Sequence, residues 1–355
     1  MPPHPQRPSP PPPPTYRATV CTRHGGPEAL EVRELPLPEP GPGQVRVRVT
    51  AAGVGATDVT MRRGRYRFAP AIPFVPGYEA VGVVDAIGPG VRSLRPGGRV
   101  AALTVHGGYG EVLVRREEEL LAVPDGLDDA EVAALVLNYV TAFQMIERVA
   151  RPAAGTLALV TGANGGVGTA LLELLRLRGV RVIAAAEPVH HPLLRSLGAT
   201  PILSRGHPLD LQVRAIAPQG VDVAFDGIGG AATARCVRAT RRGGTVVGYG
   251  FVGTLRGGQV RRSLFLRGLA TLLMGSRLAG RRGAVYGITM LYRRDPAPFR
   301  QDLPRLMELL GQGSISPRIA CRLPLLEARR ANELLEAGGI EGKIVLLADP
   351  RRAAG

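Results

Sequence analysis

The sequence predicts a two-domain α/β protein, in which an all-β barrel precedes a doubly wound parallel sheet. The chain has 355 residues, which suffices for two domains at ~100–200 residues each. Between Tyr16 and about Ala122, short strands follow one another with turn signals between them. Beyond Gly155, strands alternate with helices, and this pattern indicates βαβ units and a parallel sheet.

The strands of the first half are short and lie between turns rich in Gly and Pro. The clearest is Gln44–Thr50 (QVRVRVT), whose period-2 alternation predicts a half-buried strand. The other predicted strands are Glu79–Asp85, Arg99–Leu103 and Glu111–Val114. Because the whole series reads as strands and turns, we predict an all-β domain of the barrel type.

The second half begins with a helix at Asp128, where acidic residues favour a helix start. The elements predicted next are the strands Thr156–Thr161, Val180–Ala186, Val221–Asp226 and Thr245–Tyr249, and the helix Val167–Arg178. The last predicted elements are the helices Phe299–Leu310 and Leu326–Ala337 and the strand Lys343–Leu347. This final stretch has no nucleotide-binding signal, so we expect it to rejoin the first domain.

These patterns divide the chain into three parts. Residues 1–15 contain nine prolines and no apolar run, which predicts a disordered tail and not a signal peptide. We place the first domain at 16–136 and 293–355, and the second at 137–292.

Composition limits the partners. The net charge is +16, but Lys343 is the only lysine and the arginines are scattered without interleaved aromatics, which argues against a nucleic-acid partner. The longest apolar runs fall short of the ~20 residues of a membrane helix, so we expect a soluble protein. Three cysteines, far apart, support neither a disulfide framework nor a zinc site, and fit the cytoplasm.

The strongest chemical signal is the glycine-rich segment Ala163–Gly168 (ANGGVG). It follows a predicted strand, opens a predicted helix and precedes an acid, Glu187, at the end of the next strand, as in a dinucleotide-binding Rossmann domain. Glycines let the backbone approach a pyrophosphate, and the helix N-terminus offers free N–H groups. The alternative is a glycine-rich turn without a ligand. The predicted cofactor contacts in this loop are Gly162, Ala163, Gly165, Gly166 and Val167.

Motif order along residues 16–348 resembles the medium-chain dehydrogenase/reductase superfamily, and most closely its quinone oxidoreductase and enoyl reductase branch. The segments that carry the resemblance are Val54–Asp58, Gly64–Tyr66, Pro76–Gly82, Gly97–Val100, Asn138–Phe143, Phe225–Gly230 and Gly342–Leu346. The resemblance implies a GroES-like catalytic domain and a Rossmann domain. Asp58 matches a family residue whose role is structural.

Two departures from the alcohol-dehydrogenase pattern concern zinc. Ala56 stands where zinc-dependent members have a cysteine, and Tyr78 stands where they have a histidine. A catalytic zinc needs three protein ligands. We therefore predict no metal and a reaction that proceeds without a Lewis acid, namely hydride addition to an activated acceptor.

The resemblance places Tyr66 near the nicotinamide and the substrate. Its phenol is able to donate a proton or a hydrogen bond, and the alternative is an aromatic wall of the pocket. Asn138 and Thr141 match a segment that contacts the nicotinamide side of the cofactor, and the alternative is capping or a satisfied core position.

Further cofactor contacts are expected where strands end at the ligand-binding edge of the sheet. These residues are Asp226, Gly227, Tyr249, Gly250 and Phe251. At the ribose, Glu187 favours NADH, whereas Arg195 with His190 and His191 offers positive charge for NADPH. We predict NADPH, with NADH as the alternative, because the resembling branch mostly uses NADPH.

Together these observations predict a zinc-independent NAD(P)H-dependent reductase of an activated C=C bond or a quinone, acting on a small molecule. A composition rich in Arg, Gly and Pro, typical of GC-rich codon usage, suggests a role in secondary metabolism as context. The alternative is a non-catalytic binding protein, for nucleotide or RNA, that retains the fold. The strand-like segment Gly283–Thr289 lies where relatives pair sheets, so we expect a homodimer.

Overall fold

The computed structural model describes residues 14–250, 255–256, 259–260 and 262–349. The strands, in chain order, are β1 (Thr15–Cys21), β2 (Leu30–Pro36), β3 (Gln44–Val54), β4 (Ala80–Ile87), β5 (Arg99–Ala102), β6 (Val112–Arg116), β7 (Leu121–Ala122), β8 (Leu157–Thr161), β9 (Arg181–Ala186), β10 (Thr200–Leu203), β11 (Val221–Asp226), β12 (Thr240–Gly248), β13 (Leu255–Arg256), β14 (Gln259–Val260), β15 (Arg282–Val285), β16 (Ile319–Pro324) and β17 (Lys343–Leu347).

The α-helices, in chain order, are α1 (Ala56–Arg62), α2 (Asp129–Ala134), α3 (Val140–Gln144), α4 (Gly166–Leu177), α5 (His191–Ser196), α6 (Leu209–Ile216), α7 (Ala231–Ala239), α8 (Arg262–Ala270), α9 (Ser276–Leu278), α10 (Ile288–Arg294), α11 (Ala297–Gly311) and α12 (Ala328–Ala337). Three segments form π-helical turns: Leu135–Tyr139, Met145–Ala150 and Thr271–Gly275.

The first half forms a mainly antiparallel sheet of seven strands. Its path is β16-β17-β3-β4-β5-β7, and β6 pairs with the first part of the long strand β3. The β1–β2 hairpin joins it through bridges at Ala18–Gly110 and Cys21–Phe74. The last two strands come from the C-terminal stretch, which therefore does return to the first sheet as expected.

The second half forms a parallel sheet in the order β10-β9-β8-β11-β12-β15. Counted from β8, this order is 3-2-1-4-5-6, the order of a dinucleotide-binding doubly wound sheet. The order reverses between β8 and β11, so a crevice opens beyond the ends of these strands at Thr161 and Asp226. The predicted α/β class is confirmed.

Element boundaries differ from the predictions by a few residues. β3 continues to Val54, and β12 begins at Thr240. Thr15 already belongs to β1, so the strand begins inside the predicted tail, whose residues 1–13 lie outside the described part of the chain. Asp128 caps α2, since its carboxylate accepts a hydrogen bond from the Glu131 N–H at 3.0 Å. The domain limits near 136 and 292 stay predictions.

The helical stretch Asp129–Ala150 is long and apolar enough to cross a membrane, contrary to the expectation from apolar runs. In the structure, 78% of its most apolar window is buried inside the protein. Its helices contact β3, α4 and α11, so core packing accounts for its composition.

A buried ion pair joins the C-terminal strand to the first sheet. The Nζ atom of Lys343, on β17, contacts a carboxylate oxygen of Glu79, and the two side chains are 3% and 0% exposed. Gly53 on β3 leaves room for both, because a Cβ atom there would lie 1.8 Å from Glu79 Oε1. Burial raises the pKa of Glu79, and Lys343 opposes that rise.

Replacing Lys343 by Met should lower the free energy of unfolding by about 3–5 kcal/mol, because Glu79 is then buried without its partner. The double variant Glu79→Met/Lys343→Met should recover at least half of that loss, because no charge remains buried. Chemical denaturation of both variants measures the difference. A single variant as stable as the native protein would contradict a structural role for the pair.

Candidate active site

One cavity collects residues from both halves of the chain. It has a volume of about 720 Å³ and lies where the parallel sheet meets the first domain. The predicted site residues that line it are Tyr66, Thr141, Val167, Asp226, Tyr249 and Gly250. The structure therefore brings the predicted catalytic tyrosine together with part of the predicted cofactor set.

Three hydroxyl groups meet at Tyr66. Its Oη atom lies 2.6 Å from the Oη of Tyr78 and 2.6 Å from the Oγ1 of Thr289. Burial raises the pKa of Tyr66, while the hydrogen bonds with Thr289 and Tyr78 oppose that rise. Burial raises the pKa of Tyr78 much further, so Tyr78 stays protonated at neutral pH and is able to donate to Tyr66.

A tight turn presents Tyr78 to this cluster. Gly77 has φ +105°, and a Cβ atom there would lie 2.5 Å from the Tyr109 nitrogen. The Gly77 N–H donates to Asp58 Oδ1 at 3.1 Å, and Asp58 Oδ2 accepts from the Gly55 N–H at 2.9 Å. Burial, followed by the charge of Glu79, raises the pKa of Asp58 to about 7. The contacts agree with a structural role for Asp58.

The glycine-rich loop has the geometry of a phosphate site. Gly162 adopts φ +65°, whereas Ala163 keeps a negative φ, so alanine is tolerated where the usual pattern has glycine. Gly165 caps α4, whose first N–H groups are free to bind an anion. A Cβ atom at Gly168 would lie 2.3 Å from the Gly162 oxygen, so this glycine allows strand, loop and helix to pack closely.

Asn138 packs directly on this loop. A Cβ atom at Gly166 would lie 2.1 Å from Asn138 Nδ2, so Gly166 is needed for that contact as well as for any ligand. Asn138 sits in the π-helical turn Leu135–Tyr139, and Thr141 follows in α3 with its side chain at the cavity wall. Single π-helical turns often occur at functional sites, because they redirect side chains within a helix.

Asp226 organises the loop after β11. Its Oδ1 accepts hydrogen bonds from the Thr161 hydroxyl and from the N–H groups of Ile228 and Gly229, at 3.0–3.1 Å. Its Oδ2 accepts from the Thr233 hydroxyl at 2.7 Å. With the carboxylate used in this way, the loop offers mainly backbone groups to a cofactor.

The neighbouring loop packs closely on that one. A Cβ atom at Gly227 would lie 2.6 Å from the Tyr249 hydroxyl, and one at Gly250 would lie 1.8 Å from the Gly227 oxygen. Both glycines are therefore needed for packing. Phe251 lies outside the described residues.

Glu187 and Arg195 do not line the cavity. The Glu187 carboxylate accepts a hydrogen bond from Ser204 at 2.7 Å and pairs with Arg205 at 3.4 Å. Arg195 lies exposed on α5. His190 was expected to offer positive charge to a phosphate. It is instead buried, and its Nδ1 atom lies 3.0 Å from Oε1 of Glu341.

Sequence reasoning missed Thr289 and Arg205. Thr289 stands in the first turn of α10, four residues after β15 ends at Val285, and Arg205 stands two residues after β10 ends at Leu203. Both follow strands of the parallel sheet at the edge where such sheets bind ligands. This position is the signal that could have found them.

Comparison with known proteins gives the family. Residues 41–125 match the family described as alcohol dehydrogenase GroES-like domain, and residues 197–346 match the family described as zinc-binding dehydrogenase. The synaptic vesicle membrane protein VAT-1 homolog of Mus musculus is 31% identical, over 96% of this chain and 85% of the relative. The chain belongs to the medium-chain dehydrogenase/reductase superfamily, in its zinc-independent quinone oxidoreductase branch.

Two further comparisons support this assignment. The quinone oxidoreductase of Rattus norvegicus is 28% identical, over 93% of this chain and 97% of the relative. A mycobacterial structure complexed with NADPH is 27% identical, with a TM-score of 0.82, over 93% of this chain and 99% of the other. The predicted GroES-like and Rossmann domains and the predicted NAD(P)H-dependent oxidoreductase are thereby confirmed.

The two positions that hold zinc ligands in the zinc-dependent members of the superfamily are occupied by other residue types here. Ala56 opens α1, and the Tyr78 hydroxyl contacts Tyr66. Within the described residues, no three His, Cys, Asp or Glu side chains stand together as a metal site would require. The name of the matched zinc-binding family thus describes the superfamily, while these residue types fit the branch without zinc.

Proposed function

We propose that the protein is an NADPH-dependent reductase that acts on activated C=C bonds, as in enones, or on quinones. The observation that carries this proposal is the cluster of Tyr66, Tyr78 and Thr289 in a cavity that continues to the phosphate loop. A phenol held by two other hydroxyls is suited to stabilise a developing oxyanion without a metal.

The residues of the crevice fit NADPH. The loop before α4 provides N–H groups for the pyrophosphate, and Gly165 leaves open space, since a Cβ atom there would meet no protein atom closer than 3.5 Å. Asn138 and Thr141 then stand beside the nicotinamide end. When bound, NADPH supplies the hydride. The related mycobacterial structure complexed with NADPH supports this choice of cofactor.

The charges at the ribose end favour NADPH over NADH. Glu187 would repel a 2′-phosphate, but its carboxylate is already engaged by Ser204 and Arg205. Arg205, which is 87% exposed, and Arg195 are two guanidinium groups on the segments beside the end of β9. Arginine is well suited to bind phosphate through charge-assisted hydrogen bonds.

Tyr66 would act at the substrate oxygen. Hydride addition to the β-carbon of an enone pushes an electron pair onto the carbonyl oxygen. The Tyr66 hydroxyl donates to that oxygen and then gives up its proton, which solvent replaces. The phenolate left behind is stabilised by donation from Tyr78 and Thr289, the two groups already within 2.6 Å.

A homodimer in the cytoplasm is proposed for the assembly and the location. β15 is the edge strand of the parallel sheet and pairs with β12 on one side. Exposed apolar side chains cluster in sequence around it: Leu266, Leu273, Met274, Leu278, Val285 and Met290. A second copy that pairs with β15 would cover both the edge and this patch. The free cysteines Cys21, Cys236 and Cys321 suit a reducing compartment.

Gly165→Asp should weaken NADPH binding by at least about 100-fold while the protein stays folded, because the side chain has room but its charge faces the pyrophosphate. Titration of NADPH fluorescence measures the affinity. Gly311→Asp, at the end of α11, is the matched control, because a Cβ atom there would also meet no protein atom closer than 3.6 Å and the backbone does not have a positive φ. Unchanged NADPH affinity in the folded Gly165 variant would contradict the phosphate assignment.

Tyr66→Phe should lower kcat by roughly 10–1000-fold with NADPH affinity retained, because one donor at the oxyanion is lost. Tyr78→Phe should give a smaller fall, since it removes only the support of Tyr66. Loss of NADPH absorbance with an enone or a quinone measures the rate, and Tyr16→Phe, on β1, is the control. Full activity of the Tyr66→Phe protein would remove Tyr66 from the mechanism. If the native protein turned over no acceptor, the alternative of a non-catalytic binding protein would be favoured.

Leu278→Glu should convert the dimer to a monomer, because this side chain is 87% exposed in the proposed interface. Light scattering should give the native protein twice the chain mass of 37.5 kDa. Leu211→Glu, at a leucine of α6 that is 64% exposed and outside the patch, should leave the mass unchanged. A monomeric native protein at micromolar concentration would contradict the proposal.

A further inference from the structure

The described residues that line the cavity carry an excess of positive charge. Arg65 and Arg67 flank Tyr66 in the sequence, on the segment after α1. Both arginines line the cavity. The acid that lines the same cavity, Asp226, accepts four hydrogen bonds, two from N–H groups of its own loop and two from the hydroxyls of Thr161 and Thr233. Among the described residues that line the cavity, two guanidinium groups therefore stand against one carboxylate.

Arg65 differs from Arg62, an arginine three residues earlier, in having no partner for its charge among the described residues. Arg62 is fully buried, but Glu336 pairs with it at 2.9 Å and the Gly25 oxygen accepts its hydrogen bond at 2.5 Å. The Nη1 atom of Arg65 is also buried, and none of the described residues accepts a hydrogen bond from it. Arg65 has no carboxylate partner among the described residues, and its side chain lines the cavity, so its charge is available to an anion bound there.

The backbone holds Arg65 in place. Gly64 adopts φ +67°, and the Arg65 N–H donates to the Thr60 oxygen at 2.9 Å, which closes the turn after α1. Arg65 and Tyr66 line the same cavity, so one ligand is able to contact both the guanidinium and the proposed proton donor. The phosphate loop contributes Val167 of α4 to the lining of the same cavity.

We propose that the natural substrate is an apolar activated alkene that carries an anionic group, a carboxylate or a phosphate, and that Arg65 binds this group. The proposal rests on the proposed reductase function and names its substrate class. Apolar walls formed by Phe68, Leu137 and Ile288 accommodate the carbon chain. Arg65 is thus the residue that selects the substrate, while Tyr66 acts on its carbonyl oxygen.

The test compares alkyl vinyl ketones of equal length that end in a carboxylate, a phosphate or a methyl ester. The native protein should reduce the better of the two anionic ketones with a kcat/KM about 10–100-fold above that of the ester, as expected for one charge-assisted contact. Arg65→Met should lower that preference at least tenfold, and Arg65→Lys should retain part of it. Arg95→Met, at an exposed arginine outside the cavity that donates hydrogen bonds to the Arg92 and Leu94 oxygens, should leave the preference unchanged.

A second measurement separates this proposal from the reductase function. Calorimetry with the saturated ethyl ketones, which have no C=C bond to reduce, measures binding to the NADPH-loaded protein without turnover. The carboxylate or phosphate ketone should bind more tightly than the ester, and Arg65→Met should abolish the difference.

Three results would overturn the assignment of Arg65. The native protein could bind and reduce the ester as well as both anions. The Arg65→Met protein could lose activity equally with all three ketones, which would mark a structural role. With the ester as substrate, it could show a raised KM for NADPH, which would mark a cofactor contact.

Discussion

The buried pair of Glu79 and Lys343 is the interaction on which the site depends. It joins β17, from the end of the chain, to the residue that immediately precedes β4, and Gly53 of β3 makes the space for it. Gly342, just before Lys343, donates its N–H to the Asn164 oxygen of the phosphate loop at 2.8 Å. One buried charge pair therefore holds the first sheet together and sets its C-terminal strand against the cofactor loop.

The same junction determines the chemistry of the pocket. Tyr78 directly precedes Glu79, and Asp58 holds the Gly77 N–H, so the turn that would present a zinc ligand in the zinc-dependent relatives presents a phenol instead. A phenol cannot act as a Lewis acid, but it stays protonated and donates a hydrogen bond. Tyr78 thus both removes one of the two zinc-ligand types that this chain lacks and adds a hydroxyl to the cluster at Tyr66.

Much of this arrangement could be predicted from local sequence. The period-2 strand at β3 and the strand–glycine–helix order around Gly165 each depend on residues close together in the chain. The return of Lys343–Leu347 to the first sheet could be predicted because the C-terminal stretch has no nucleotide-binding signal. The contacts of Tyr66 could not be predicted. Thr289 lies 223 residues away from it, and no periodicity indicates that their hydroxyls meet. The pairing of His190 with Glu341 was missed for the same reason.

The scarcity of lysine gives the C-terminal strand an unusual chemical property. Lys343 is the only lysine in 355 residues, so its side chain is the sole amine of the protein apart from the chain terminus. In the folded state that amine is 3% exposed and paired, which shields it from electrophiles. Acylation of Lys343 consequently requires β17 to leave the sheet. The rate of this one modification therefore measures how often the contact between β17 and the phosphate loop opens.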